Sequence, residues 1–223
     1  MATRETPLRR GEVIATALEM IDENGLEQLS LRRLGARVGV QGMSLYHLFS
    51  DKAEILEGVA TLILRDLRVP EQRPADVVQW SLDNARRYRS ALLAHPNAIP
   101  LFLDRHPAHG RVSMYEEEFE ALQSLGVEDQ YWLVIVETLE SYIVGTTLFL
   151  HPSKRLADVL SGDSGGELVK RALKARPVDD ELAFTTGYVA LLERLLEAYA
   201  PGALERSQEP RPAALTGYDR DHS

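Results

Sequence analysis

Apolar residues recur along this chain at the spacing of an α-helix. Val13, Ile14, Ala17, Leu18 and Ile21 share one face, and so do Ile55, Leu56, Val59, Leu62 and Ile63. No alternating apolar–polar run of strand length stands out, so the expected fold is all-α. The punctuation agrees with this. Asn24-Gly25 stops the first helix, and Ser30 can cap a second whose Leu31, Leu34 and Val38 face one way until Gly39. A short piece follows from Gln41 to Phe49, and Asp51 is placed to cap the next helix. Beyond Pro74 the pattern predicts helices at 74–94, 109–125, 128–150, 166–175 and 180–199, with a shorter turn at 97–103.

A chain of 223 residues holds one or two domains. The prolines of Val69-Pro70-Glu71-Gln72-Arg73-Pro74 mark a boundary, and the charge changes there as well. Residues 1–70 carry nine Arg/Lys against ten Asp/Glu, so nearly all of the net −9 falls on residues 71–223. The expected organisation is a near-neutral front domain at 1–70, an acidic body at 71–200 and a mobile tail at 201–223, rich in Pro, Gly and charge. With no cysteine, disulfide scaffolds and thiolate sites are excluded. The stretch Tyr131 to Leu150 approaches membrane-spanning length but contains Glu137 and Glu140, so a buried helix of a soluble protein is expected. With no targeting segment recognisable, a cytoplasmic location and no membrane partner are expected.

The front domain has the layout of a helix-turn-helix: two short helices joined by Gly39-Val40-Gln41 and packed on a preceding one. Gly39 suits the turn, and Val40 and Leu45 suit its small core. Arg32, Arg33 and Arg37 lie on the helix that would cross a DNA backbone, with Lys52 just past the second helix. Gly42, Met43, Ser44, Tyr46 and His47 face outward from that second helix. Hydroxyl, phenol and imidazole groups there suit phosphates and base edges, and Met43 suits a thymine methyl. Arg33 and Arg37 are expected to act as solvated, general electrostatic groups. On pattern alone, a helical hairpin without DNA contact fits equally well, and the acidity favours such an interaction module.

The run Ile21-Asp22-Glu23-Asn24-Gly25-Leu26-Glu27-Gln28-Leu29-Ser30-Leu31-Arg32-Arg33-Leu34, then Val38-Gly39-Val40 and Leu45-Tyr46-His47-Leu48-Phe49-Ser50-Asp51-Lys52, resembles the N-terminal domain of the tetracycline-repressor (TetR) family. Tyr88-Arg89-Ser90-Ala91-Leu92-Leu93-Ala94-His95 is similar to the subgroup with a tetracycline-repressor-type C-terminal domain. The resemblance implies a homodimeric regulator that binds a palindromic double-stranded DNA operator and is released by a small molecule. It places Arg32, Gln41, Gly42, Met43, Ser44, Tyr46, His47 and Lys52 at the DNA, with Tyr46 and Lys52 on phosphates. Near the effector it places Arg68, Phe102, Arg105, His106, Glu118, Leu133, Val136 and Glu140.

The residues of the body are compatible with a sensor. Trp80, Asn84 and Tyr88 are four apart and share one helix face, which reads as core or as pocket wall. Glu137 and Glu140 in an apolar helix need a partner, either an arginine such as Arg86 or Arg87 or a basic group on a ligand. For a dimer interface the best stripes are Trp132, Val136, Leu139, Ile143, Leu148 and Phe149 on one helix, and Leu182, Phe184, Val189, Leu192, Leu195 and Leu196 on another. Phe102 and Phe149 stand where the subgroup's metal-chelated drug is bound by a histidine and approached by an acidic residue. A phenyl ring cannot ligate a hard cation, so neither a metal nor tetracycline–magnesium is expected. The six histidines are scattered, and no nucleophile triad or phosphate loop is legible, so neither enzyme chemistry nor a cofactor is expected.

Overall fold

The computed structural model describes residues 9–65, 76–103, 108–150, 166–175 and 179–207. The regular elements among the described residues are all helical, as the periodicity predicts. The front domain is α1 (Arg10–Asn24), α2 (Leu31–Arg37), a tight 3-10 turn at Gly42–His47 and α3 (Lys52–Leu64). The body is α4 (Val77–Ala94), a 3-10 turn at Pro96–Phe102, α5 (Ala108–Ser124), α6 (Asp129–Leu150), α7 (Glu167–Lys174), α8 (Asp180–Tyr199) and the short α9 (Ala203–Ser207). The first part of the expected mobile tail is therefore packed, since α9 begins at 203 and Ala203 is buried. Residues 208–223 lie outside the described residues.

The predicted caps form. Ser30 Oγ accepts from the Arg33 amide at the start of α2, and Asp51 Oδ1 accepts from the Glu54 amide at the start of α3. Gly39 ends α2 with φ of +79°, a conformation that costs glycine nothing, and the Val40 amide closes the turn onto the Gly35 carbonyl at 2.8 Å. The 3-10 turn at Gly42–His47 then crosses α2 backbone to backbone. A Cβ on Gly35 would lie 2.7 Å from the Gly42 amide nitrogen, and one on Gly42 would lie 2.9 Å from the Leu31 carbonyl oxygen.

One apolar core joins front to body. Val13, Ala17 and Ile21 of α1 and Ile55, Val59 and Ile63 of α3 are buried in the same cluster as Leu92, Ile99, Ile135, Phe184 and Leu196. The helix α3 packs on both α1 and α5, while the 3-10 turn at Pro96–Phe102 packs on α1. Polar contacts reinforce that junction: Asp22 on α1 pairs with His95 Nδ1 at 2.8 Å, and Asn97 Nδ2 donates to the Asp22 carbonyl at 2.8 Å. Across the body, α4 is tied to α8 by Arg86 and Arg89, which both reach Glu181 at 2.9 and 2.8 Å. The Arg89 guanidinium also lies 4.8 Å over the Phe184 ring.

The helix long and apolar enough to cross a membrane, Asp129–Phe149, packs on α4, α5 and α8. Its Ile135, Val136, Leu139, Ile143 and Val144 are buried in the shared core.

The crossing at Gly35 and Gly42 admits no side chain without backbone movement. Gly35→Ala is expected to cost about 1–3 kcal/mol. A calorimetric midpoint several degrees below the parent, with helical content retained below the transition, is the result that checks it.

Candidate functional site

Two regions concentrate polar chemistry. At the tip of the front domain, Arg32, Gln41, Met43, Ser44, Tyr46 and His47 are exposed, Met43 at 73% and Tyr46 at 50%, with Lys52 half-buried beside them. Of this domain's cations, Arg33 and Arg37 are committed internally. Arg33 donates to the Gln28 carbonyl and side chain at 2.9 Å, and Arg37 grips Glu23 at 2.6 and 3.1 Å. The free electrostatic role expected of those two is corrected accordingly. Arg32 and Lys52 engage no acidic side chain among the described residues, so their charge faces outward. Gly42, assigned to the DNA face, is half-buried at the backbone crossing, where it sets how closely the turn lies on α2.

The turn is held from behind by Glu54. Its Oε2 accepts from the Ser50 amide at 2.6 Å and from the Ser50 hydroxyl at 2.9 Å. Arg10 bridges from α1, donating to the Glu54 carboxylate and to the Leu48 carbonyl while lying 4.4 Å over the Phe49 ring. The Ser50 amide, and then the Arg10 guanidinium, pull the Glu54 pKa from its ordinary 4.5 down to about 2.

In the body, two small cavities lie side by side between α4, α5, α6 and α8, each about 20 Å³, room for roughly one water molecule. The first is lined by Tyr88, Met114, Tyr115, Glu118, Val136, Leu139, Glu140, Ile143 and Tyr188. The second is lined by Trp80, Ser81, Leu122, Leu125, Ile135 and Leu192, among others, and shares Glu118, Val136 and Leu139 with the first. Glu140 is clamped by two phenols, with Tyr88 donating to Oε1 at 3.1 Å and Tyr115 to Oε2 at 2.9 Å. The Tyr188 hydroxyl pairs with Ser81 at 2.8 Å across the wall between the cavities. Burial, and next the nearby negative Glu118, push the Tyr188 phenol far above its ordinary range, so it stays protonated.

The structure thus brings Trp80, Tyr88, Glu118, Val136 and Glu140 together, as expected of pocket residues. Asn84 lies between Trp80 and Tyr88 on α4, and its Oδ1 is buried with no hydrogen-bond partner among the described residues. Phe102 is buried and packs edge-on against Tyr88 at 6.1 Å, behind the cavity wall. Leu133 is half exposed and lines neither cavity. Trp132 stacks on Phe119 at 5.7 Å and donates to the Val127 carbonyl. Arg68, Arg105 and His106 lie outside the described residues. The arginine expected to neutralise the α6 carboxylates, Arg86, goes instead to Glu181 and Asp83, and Glu137 is exposed. Sequence reasoning missed Met114, Tyr115 and Tyr188. Tyr115 lies three positions before Glu118, a helical repeat that could have flagged it, whereas Tyr188 reaches the site from a helix a hundred residues further on.

An exposed helix-turn-helix face joined through one core to a helical body with a polar-lined cavity defines a ligand-responsive DNA-binding regulator. Comparison with known proteins gives its family. The family profile described as "Bacterial regulatory proteins, tetR family" matches residues 13–59, and "Tetracyclin repressor-like, C-terminal domain" matches residues 70–200. The chain belongs to the TetR family, with a tetracycline-repressor-like C-terminal domain. Curated relatives include the tetracycline repressor protein class A from transposon 1721 of Escherichia coli, 26% identical over 171 residues, covering 75% of this chain and 77% of that one. The class G tetracycline repressor of Vibrio anguillarum is 27% identical over 146 residues, covering 64% and 69%. Among solved structures, the Streptomyces coelicolor TetR family protein ActR in complex with (S)-DNPA superposes with a TM-score of 0.73 at 28% identity, covering 86% of this chain and 99% of that one.

The Glu54 staple carries a pH signature. The folded carboxyl holds its proton more weakly than the unfolded one, so the staple contributes fully above pH 4.5 and fades as pH falls towards about 2. Glu54→Gln is therefore expected to lower the thermal midpoint at neutral pH, and the gap to the parent should narrow steadily below pH 4.5. A gap unchanged across that range would show that the charge is not what holds the turn.

Proposed function

We propose that this protein is a transcriptional repressor that binds a palindromic operator as a homodimer and is released by a small molecule lodged between α4, α5, α6 and α8. The observation that carries this reading is the set of outward, internally uncommitted groups around the turn at Gly42–His47, rigidly joined to a body with two adjoining cavities. In this reading Tyr46 and Lys52 hold phosphates, and Arg32, Gln41, Met43, Ser44 and His47 read bases. The protein acts in the cytoplasm, by binding rather than by catalysis. Among the described residues no cluster of three His, Asp or Glu side chains is placed to hold a metal ion, and Phe102 offers a hard cation no ligand, so the effector binds without one.

Release follows from linkage. The cavities are nearly closed here, so an effector must part α5 from α6. Because α5 also packs on α3, a dimer with α5 displaced holds its two reading heads at a different spacing. An effector that binds that state better lowers operator affinity by its differential affinity for the two states.

The dimer forms over α6 and α8, but not through the stripes the sequence singled out. Val136, Leu139, Ile143, Phe184, Leu192 and Leu196 are spent inside the monomer core. What remains outward is Phe149 at 76% exposure, Leu182 and Val134, beside an open groove of Ser141, Tyr142, Gly145, Thr146, Ala183 and Phe184. Around Gly145 a Cβ would meet nothing, which leaves room for a second helix to approach closely.

Two measurements test the proposal. Operator duplexes selected from a random pool, followed by fluorescence anisotropy, should show specific binding that weakens steeply with salt. In that assay Arg32→Ala should lose about 1–3 kcal/mol and relax base preference, whereas Arg33→Ala should leave preference intact. Phe149→Asp should turn a dimer into a monomer in sedimentation experiments and abolish operator binding in parallel. A Phe149→Asp protein that stays dimeric would remove this face from the interface.

A further inference from the structure

The polar groups that face the two cavities share one sign. Glu118 belongs to both walls and Glu140 to the first. The two tyrosine hydroxyls on Glu140, at 3.1 and 2.9 Å, stabilise it as a carboxylate, and each carboxylate oxygen can accept more than one hydrogen. The buried Oδ1 of Asn84 is a further acceptor, without a hydrogen-bond partner among the described residues. The charged side chains lining these cavities are, among the described residues, both acidic.

Around these acceptors the walls are aromatic and aliphatic. Tyr88 and Tyr115 lie in the first cavity and Trp80 in the second, with Val136 and Leu139 between them. Ring faces attract cations and pack against flat apolar surface, while a carboxylate in a poorly hydrated site repels an anion strongly. From this we infer that the effector is an aromatic amine bound in its protonated form, its ammonium group directed at Glu118 and Glu140 and its ring held among Trp80, Tyr88 and Tyr115. The inference rests on the cavities being the effector site and adds the sign of the ligand to that reading.

Three probes with one ring skeleton separate the alternatives: naphthylmethylammonium, naphthylmethanol and naphthoate, each titrated calorimetrically into the full-length protein at neutral pH. The ammonium should bind about tenfold tighter than the alcohol, with naphthoate weakest. Glu118→Gln and Glu140→Gln should each shrink the advantage of the ammonium over the alcohol while leaving alcohol affinity within about twofold. Equal or tighter binding of the alcohol or the carboxylate, no binding of the ammonium at millimolar concentration, or an undiminished advantage in both variants would overturn the inference. Operator release, followed in parallel by anisotropy, keeps the two readings apart. Charge-selective binding without release upholds the cationic site and sinks the effector role, whereas release by naphthoate alone does the reverse.

Discussion

The structure depends on a single apolar core that does not stop at the domain boundary. Side chains from α1 and α3 of the DNA-reading head are buried together with side chains from α4, α6 and α8 of the body. A head attached by a flexible linker would sample all orientations, and a ligand in the body would have no purchase on it. Here α3 is a wall of both units, packing on α1 on one side and α5 on the other. The 3-10 turn at Pro96–Phe102 extends the body's packing onto α1, where Asp22, His95 and Asn97 add directional contacts to the non-directional burial. Close-packed cores change between discrete arrangements rather than deforming smoothly, which is the property a ligand-operated regulator needs.

The sequence made local structure legible and distant partnerships illegible. The 3.6-residue repeat placed the helices to within a few residues, and the caps at Ser30 and Asp51 formed where hydroxyl and carboxylate stood before an apolar run. The row Trp80, Asn84, Tyr88 was readable as one face because it lies on one helix. What answers that face was not readable. Tyr115 comes from α5 and Tyr188 from α8, and their bonds to Glu140 and Ser81 join positions 25 and 107 apart. The same reason explains the arginines. Arg33 and Arg37 look like surface cations in the sequence, yet Gln28 and Glu23, brought close by the turn after α1, absorb them. Gly42 was legible as a glycine in an interesting place, but its role depends on α2 passing within van der Waals contact.

Those pairings sharpen what the charge distribution means. The front domain is close to neutral overall, so bulk attraction to phosphate is weak, and little binding energy comes from net charge alone. Two of its cations are neutralised within the domain, and Arg10 is held by Glu54 behind the turn. Arg32 and Lys52 remain to face a partner, flanking the exposed groups from Gln41 to His47. Internal pairing thus concentrates the usable charge at the reading face, while the acidic body discourages contact with DNA elsewhere.

The nearly closed cavities govern time as well as affinity. Space for roughly one water in each cannot admit an aromatic molecule by simple diffusion into a waiting pocket. Capture then waits on the rare moment when α5 stands away from α6, and the observed rate levels off at the opening frequency however much ligand is supplied. Escape waits on the same motion. A brief pulse of effector would be registered late and forgotten slowly, which makes the closed cavity a filter against transient signals.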